Sequence, residues 1–336
     1  MQALFEKVYQ QKNLSNQEMT LLATAIFKQQ LNDNQISALL IALKLKGVTA
    51  DELTGLAHVM QSRAIAVHQA PQGVMDNCGT GGDHSNSFNI STTAAFVLAA
   101  GGIPMAKHGN RSVSSRSGSA DVLESLGVDL SASAEKIDFL LKEAGIAFLF
   151  APAMHPAMKK VMQIRKDLAT PTIFNLIGPI INPYPLEYQL LGTFAGDSLV
   201  ETATTLGALG RKQAIVLQGA SGMDEANLAG VTRYAFYQNN QVVEKELFPE
   251  AFGLQAAPLS AIVGGDALKN KEILLSVLQG EASPYLDTVI LNAGIGFLAG
   301  AKVNDVASGI QLAQDIIKSG AAFDCLQYFI TLQEVA

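Results

Sequence analysis

The sequence predicts an α/β protein: a mostly parallel sheet covered by helices, with a smaller all-helical domain formed mainly by the N-terminus. Three observations predict it. Residues 1 to about 70 carry only helix signals. From Val74 onward, short apolar runs of β character alternate with helical stretches. The strongest turn chemistry, Gly79-Thr80-Gly81-Gly82-Asp83, falls where one such run gives way to a helix.

In the N-terminal region Ser15-Asn16-Gln17-Glu18 and Thr49-Ala50-Asp51-Glu52 have the form of capping boxes, in which a hydroxyl and a carboxylate satisfy the free amides of a first helical turn. Ile36, Leu39, Leu40 and Leu43 recur at helical spacing and stop at Gly47. Beyond this region the candidate strands are 74–78, 103–106, 146–150, 190–194, 214–217 and 288–291, and their alternation with helices implies a parallel, covered sheet. Residues 234–247, broken at Asn239-Asn240, read as a hairpin that adds antiparallel character. One stretch interrupts this rhythm. His155-Pro156 opens an amphipathic helix running through Met162 and Arg165 to about Leu168, and 172–176 then leads into Gly178-Pro179. Packed back on the N-terminal helices, it makes the small domain discontinuous: residues 1–70 completed by about 155–185, with 71–154 and 186–336 forming the large α/β domain.

The glycines at 79, 81 and 82 permit φ > 0 and a close approach of backbone amides to phosphate oxygens. A tight turn without a ligand is the alternative. The spacing is neither Gly-x-Gly-x-x-Gly nor the nucleoside-triphosphate loop that ends in Gly-Lys-Ser/Thr. Asn89-Ile90-Ser91-Thr92 and Thr93 then head an apolar helix over 94–100, whose free amides and dipole favour an anion. After the run 103–106 comes Lys107-His108-Gly109-Asn110-Arg111-Ser112-Val113-Ser114-Ser115-Arg116-Ser117-Gly118-Ser119, in which cations and hydroxyls suit a loop that wraps phosphates. Ser119-Ala120-Asp121 leads directly into the next helix, so the loop is held at both ends. Asp224-Glu225, just past the run 214–217, is either a solvated acidic pair or a magnesium site beside a diphosphate. Arg165 either lies on a helix surface beside Lys166 or faces the Gly-rich loop across a cleft.

Bulk properties narrow the function classes. A chain of 336 residues, half of them apolar, holds two domains or one large domain with an appendage. The formal charge of −7 argues against general nucleic-acid binding and makes the basic segment at 107–116 a local focus for a small anion. Cys78 and Cys325 cannot form a disulfide framework, and no Cys/His cluster has zinc spacing, which points to a reduced, cytoplasmic setting. The N-terminus does not read as a signal peptide, and no apolar run reaches the ~20 residues of a membrane span.

Taken together, 79–83, 89–92, 107–115, 118–124, Phe174-Asn175 with Gly178-Pro179, Asn182-Pro183 and Asp224-Glu225 resemble the anthranilate phosphoribosyltransferase family nearly end to end. The Lys-His-Gly-Asn-Arg-Ser run following Gly-Thr-Gly-Gly-Asp is the most specific part. The resemblance implies transfer of the phosphoribosyl group of 5-phosphoribosyl 1-pyrophosphate (PRPP) to the amine of anthranilate, with release of pyrophosphate, in tryptophan biosynthesis. It implies PRPP binding by Gly79, Gly82, Asp83, Ser87, Asn89, Ile90, Ser91, Thr92, the loop Lys107, His108, Gly109, Asn110, Arg111, Ser112, Val113, Ser114 and Ser115, and Ser119. It implies anthranilate contacts from Gly79, Asn110 and Arg165, magnesium (Mg2+) ligands at Ser91, Asp224 and Glu225, and a homodimer through the N-terminal helices. Two positions depart from the family pattern: Pro171 stands where Arg is more usual, and Gln218 where His is common.

This chemistry needs no enzyme nucleophile, because the acceptor amine attacks while a charged leaving group departs from an oxocarbenium-like centre. Placement and charge stabilisation suffice, with Lys107 and Arg111 offsetting the charge on the diphosphate. His108 and His155 read either as structural hydrogen-bonding residues or as groups that assist a proton, and Cys78 as a small buried strand residue and not a nucleophile. Two other readings are a pyrimidine nucleoside phosphorylase-like enzyme, whose loop pattern lacks Asn110-Arg111-Ser112, and a non-catalytic nucleic-acid-binding relative of the same fold. A basic surface and loss of the acidic pair would mark the latter.

Overall fold

The computed structural model describes residues 1–68, 70–112 and 116–334, so Val113, Ser114 and Ser115 of the expected PRPP loop lie outside the described residues. The chain begins with α1 (Gln2–Tyr9), α2 (Asn16–Phe27), α3 (Asp33–Lys46) and α4 (Ala50–Gln61). Reciprocal capping boxes open α2 at Ser15/Glu18 and α4 at Thr49/Glu52, and a third, Asn32 with Gln35, opens α3. Gly47 ends α3 at φ +84°, a conformation costly for residues with a Cβ.

The α/β part follows as β1 (Met75–Asp76), α5 (Ile90–Ala100), β2 (Met105–Gly109), α6 (Ser119–Ser125), α7 (Ala134–Ala144) and β3 (Ile146–Phe150). It continues through α8 (Ala151–Met154), α9 (Lys159–Leu168), α10 (Ile173–Ile177), β4 (Tyr188–Gly192), α11 (Leu199–Ala208), β5 (Gln213–Gln218), β6 (Thr232–Gln238) and β7 (Gln241–Leu247). It closes with α12 (Ala267–Leu278), α13 (Pro284–Ala299), α14 (Val306–Lys318) and α15 (Ala321–Gln333). Two sequence expectations are corrected. Residues 288–291 are not a strand but the interior of α13, where every residue from Thr288 to Ala299 is buried; a helix apolar on all sides has no 3.6-residue period to betray it. Lys107, His108 and Gly109 belong to β2, not to a loop.

The sheet runs β3-β2-β1-β4-β5-β6-β7, parallel from β3 to β5 and antiparallel across β5, β6 and β7, whose last pair is the hairpin turned at Asn239-Asn240. Strand order reverses between β1 and β4. The crevice outside the carboxyl ends of those two strands is the usual ligand position in such sheets.

Alternation along β5 divides the interior in two. Ile215 and Leu217 pack into a core with α5, α13 and the other C-terminal helices, whereas Ala214 and Val216 join a core built from α1 to α4. Val161, Ile164, Ile173, Phe174, Ile177, Ile180 and Ile181 belong to the second core. Thus α9 and α10 pack with the N-terminal helices although about a hundred residues separate them in sequence.

Candidate active site

Asp76, at the end of β1, is fully buried and fixes the crevice floor. Its Oδ1 accepts the amides of Cys78 (3.0 Å) and His108 (3.2 Å), and its Oδ2 accepts Asn182 Nδ2 (2.9 Å), which also donates to the Ala106 carbonyl (2.8 Å). Burial raises the Asp76 pKa, opposed by the nearby Lys107 charge and these donors. A carboxylate in the middle of the apolar run 74–78 is the sequence signal available for this residue, and reading the run as a plain strand passes over it.

The glycine loop leaves β1 and is tied to β4: Thr80 N–H donates to the Gly192 carbonyl (2.9 Å), and Thr80 Oγ1 accepts the Phe194 amide (3.3 Å). Gly81 and Gly82 have φ +63° and +79°. Gly79 is required for a different reason, since a Cβ there would lie 2.7 Å from Asp224 Oδ2. The acidic pair arrives from β5 and engages both anion-binding surfaces. Asp224 Oδ2 accepts the Gly81 amide at 2.6 Å, and Glu225 Oε1 accepts the Ser91 amide in the first turn of α5 at 3.1 Å. Asp83 Oδ2 in turn accepts the Asp224 amide (3.3 Å), so three carboxylates gather at one point. Burial first, then the charges of Glu225 and Asp83, push Asp224 well above the ordinary carboxylate range; burial lifts Glu225 to about 7, with Lys107 acting against it.

Lys107 reaches this point from β2, 3% exposed, with Nζ 3.4 Å from Ser91 Oγ. Asn77 Nδ2 donates to the Ser91 carbonyl (2.8 Å), so α5 is held to β1 at its first turn. Among the described residues no group of three or more His, Cys, Asp or Glu side chains is arranged to hold a metal ion. The donor set, two or three crowded carboxylates and a hydroxyl, is hard oxygen short of positive charge, and it fits a magnesium ion whose remaining ligands are substrate oxygens and water.

Asp83 Oδ1 accepts both the amide and the hydroxyl of Ser85 (3.0 Å each), and Ser85 Oγ accepts from the Ser87 hydroxyl (3.2 Å). A cavity of about 210 Å³ is lined there by Asn86, Ser87, Arg116 and Gly264. Past β2, the ends of the loop are brought together. Ser119 Oγ accepts the Asn110 amide and donates to its carbonyl (3.2 Å each), and Asp121 Oδ2 accepts the amides of Ser112 (3.2 Å) and Gly118 (2.8 Å). Arg111 turns toward this neck, pairing with Asp121 (2.8 Å) and Glu124 (2.8 and 2.9 Å) on α6. Its guanidinium is therefore engaged away from Lys107 and Ser91, which the sequence pattern does not reveal.

His108 and His155 stack edge to face with ring centroids 5.2 Å apart; burial drives their pKa values down to about 3 and about 4, so both are neutral imidazoles near pH 7. Burial pushes the Cys78 thiol up to about 12, which leaves it protonated and unsuited to nucleophilic attack. Arg165 on α9 lies 5.9 Å over the Phe174 ring, with Nη1 3.9 Å from Met162 Sδ; among the described residues it has no carboxylate partner, and burial lowers its pKa. Of the two departures, Gln218 donates to the Phe194 carbonyl (2.7 Å) and accepts from Arg233 (2.9 Å), while Pro171 is exposed ahead of the α10 cap at Thr172.

Residues 71–323 match the α/β domain of a glycosyl transferase family, and residues 2–64 match its helical bundle domain. The chain is 58% identical over 334 residues to anthranilate phosphoribosyltransferase of Listeria monocytogenes serotype 4a, covering 99% of this chain and 98% of the relative. It is 52% identical over 327 residues to that of Streptococcus gordonii, covering 97% and 98% respectively. Among solved structures it superposes on anthranilate phosphoribosyltransferase from Thermus thermophilus with a TM-score of 0.93 at 36% identity, over 98% of this chain and 99% of the other. The Saccharomyces cerevisiae enzyme in complex with PRPP and Mg gives a TM-score of 0.85 at 26% identity, over 96% and 93%.

Proposed function

The chain belongs to the anthranilate phosphoribosyltransferase family, and on that premise we propose that it joins the phosphoribosyl group of PRPP to the amine of anthranilate in the crevice between β1 and β4. The observation that carries this reading is the meeting of the 79–83 amides, the start of α5, Lys107 and the Asp224/Glu225 pair at one point. PRPP is held by Gly79, Gly82, Asp83, Ser87, Asn89, Ile90, Ser91, Thr92, Lys107, His108 and Gly109 at the end of β2, residues 110–115, and Ser119. Backbone amides of the glycine loop and of α5 other than those of Thr80, Gly81 and Ser91, together with the α5 dipole, meet phosphate oxygens, and Lys107, desolvated and close to Ser91, offsets the charge that grows on the departing diphosphate. Arg111 acts by holding the loop neck on α6.

Ser91, Asp224 and Glu225 hold magnesium, which when bound neutralises the diphosphate and relieves the crowding of carboxylates. Arg165, lacking an acidic partner of its own among the described residues, pairs with the anthranilate carboxylate, while Gly79 and Asn110 border the acceptor. The aromatic amine is already unprotonated near pH 7, so the buried neutral imidazoles are not needed as strong bases. Residues 1–70 with 155–185 form the helical domain, and the chain pairs as a homodimer through the N-terminal helices, in a cytoplasmic setting.

Incubation of the chain with anthranilate, PRPP and magnesium, followed by loss of anthranilate fluorescence and release of pyrophosphate, tests the reading. Turnover is expected only with all three present. Phosphate-dependent cleavage of a pyrimidine nucleoside, with no use of anthranilate, would overturn it.

A further inference from the structure

Asn89 occupies the N-cap position of α5, where an asparagine ordinarily turns its side-chain oxygen onto the first free amides of its own helix. Here it makes no such bond. Instead its Oδ1 accepts Asn270 Nδ2 at 2.8 Å, and its Nδ2 donates to the Ser117 carbonyl at 3.3 Å. Asn270, on the first turn of α12, is 1% exposed, and its Oδ1 accepts the Gly265 amide at 2.7 Å. That last contact sets the direction of the whole chain. A backbone N–H can only donate, so the oxygen of Asn270 must face Gly265 and its nitrogen must face Asn89. Asn89 must then present oxygen to Asn270 and nitrogen to the loop. The two segments are pressed together: Phe88 donates to the Ile262 carbonyl (3.2 Å) and Gly264 to the Asn86 carbonyl (2.8 Å), and a Cβ on Gly264 would lie 2.6 Å from Asn270 Oδ1.

We propose that Asn270 is a positioning residue of the PRPP site. It draws Asn89 away from capping its own helix, leaving open to a phosphate the Thr92 amide, the first-turn donor of α5 that neither the Phe88 carbonyl nor the Glu225 carboxylate engages, and it fixes the Asn89 amide with its donor side toward the loop. The proposal rests on the reading of 89–92 as a phosphate site given above. Without Asn270, Asn89 competes with the substrate for the Thr92 amide. With an aspartate at 270, the Gly265 bond survives but the carboxylate can only accept, so Asn89 turns over, sets its carbonyl oxygen against the Ser117 carbonyl and releases that end of the PRPP loop.

The test measures kcat, both KM values and PRPP binding by calorimetry for N270A and N270D, with N89A and N89A/N270A completing a double-mutant cycle. Loss of a hydrogen bond to a charged group implies a rise in the PRPP KM and Kd of roughly 10-fold for each Asn270 variant, N270D at least equal to N270A, with kcat and the anthranilate KM within about twofold. In the N89A background N270A should change PRPP binding by less than about twofold. Equal losses for both substrates, a larger effect in N270A than in N270D, or the full N270A effect in the N89A background would each overturn the proposal and leave Asn270 as packing alone. Should N270D fail to fold, N270A and its cycle decide; should N270A fail, N270D and the cycle of N89A with N89A/N270D decide by the same criteria. Absence of PRPP binding by the unaltered chain would instead overturn the reading of the site itself.

Discussion

Replacing Gly79 by alanine tests the site at its tightest point. The new methyl group would lie 2.7 Å from Asp224 Oδ2 and 3.2 Å from the Gly192 carbonyl, whereas ordinary contacts begin near 3.4 Å, so the carboxylate must retreat by the difference, 0.7 Å. The Asp224 backbone cannot follow, because its carbonyl already fills the space where Gly192 lacks a Cβ. The side chain alone must move, and the 2.6 Å bond from Gly81 to Asp224 Oδ2 is what it gives up. Charge-assisted bonds of this kind contribute about 1.5–3 kcal/mol, and displacement of ~1 Å at a reacting centre costs up to ~100-fold. Gly79→Ala should therefore lower kcat/KM for PRPP by about 10- to 100-fold and weaken magnesium binding, with little change in thermal stability. Steady-state fluorescence assays at varied PRPP and magnesium, alongside a melting curve, provide the check. An alanine variant with unaltered kcat/KM would refute the claim that Asp224 is held at Gly79 and Gly81 for function.

Changing Asp224 and Glu225 together to alanine should abolish magnesium-dependent turnover and eliminate magnesium binding measured by calorimetry with PRPP present; full activity at limiting magnesium would reject the metal assignment. Arg165→Ala removes the guanidinium over Phe174, and anthranilate binding should weaken by roughly 10-fold or more while PRPP binding holds; equal losses for both substrates would be the contrary result. The depressed pKa values of His108 and His155, about 3 and about 4, mean that stability is fully present above the unfolded value of 6.5 and is lost as pH falls toward 4. For His155 alone the shift corresponds to about 3 kcal/mol, so His155→Gln should flatten the denaturant midpoint between pH 6.5 and 4, and an unchanged slope would show that its burial does not control protonation.

The chemistry of the anion site is legible where neighbouring residues encode it. The glycine loop, Ser91-Thr92 and the acidic pair each announce an anion or cation function through residue type and short spacing. Lys107 reads in sequence as the start of a flap but is a buried strand residue, because the parallel pairing with Lys107 opposite Phe148 extends β2 beyond its apolar run. Charge alone assigns Arg111 to the diphosphate, yet Asp121 and Glu124 lie on the same short helix α6 and engage it first.

The sequence by itself determined the capped N-terminal helices, the change to α/β rhythm, the hairpin and the glycine turn, since each depends on caps, periods and backbone freedom within a few residues. Only the tertiary structure decided that Asp224 meets Gly81, Glu225 meets Ser91, Asp76 gathers β1, β2 and Asn182, and α13 lies buried on every side. Those partners are separated by tens to more than a hundred residues, and burial leaves each polar group a choice among distant donors that only the packed sheet and its helices resolve.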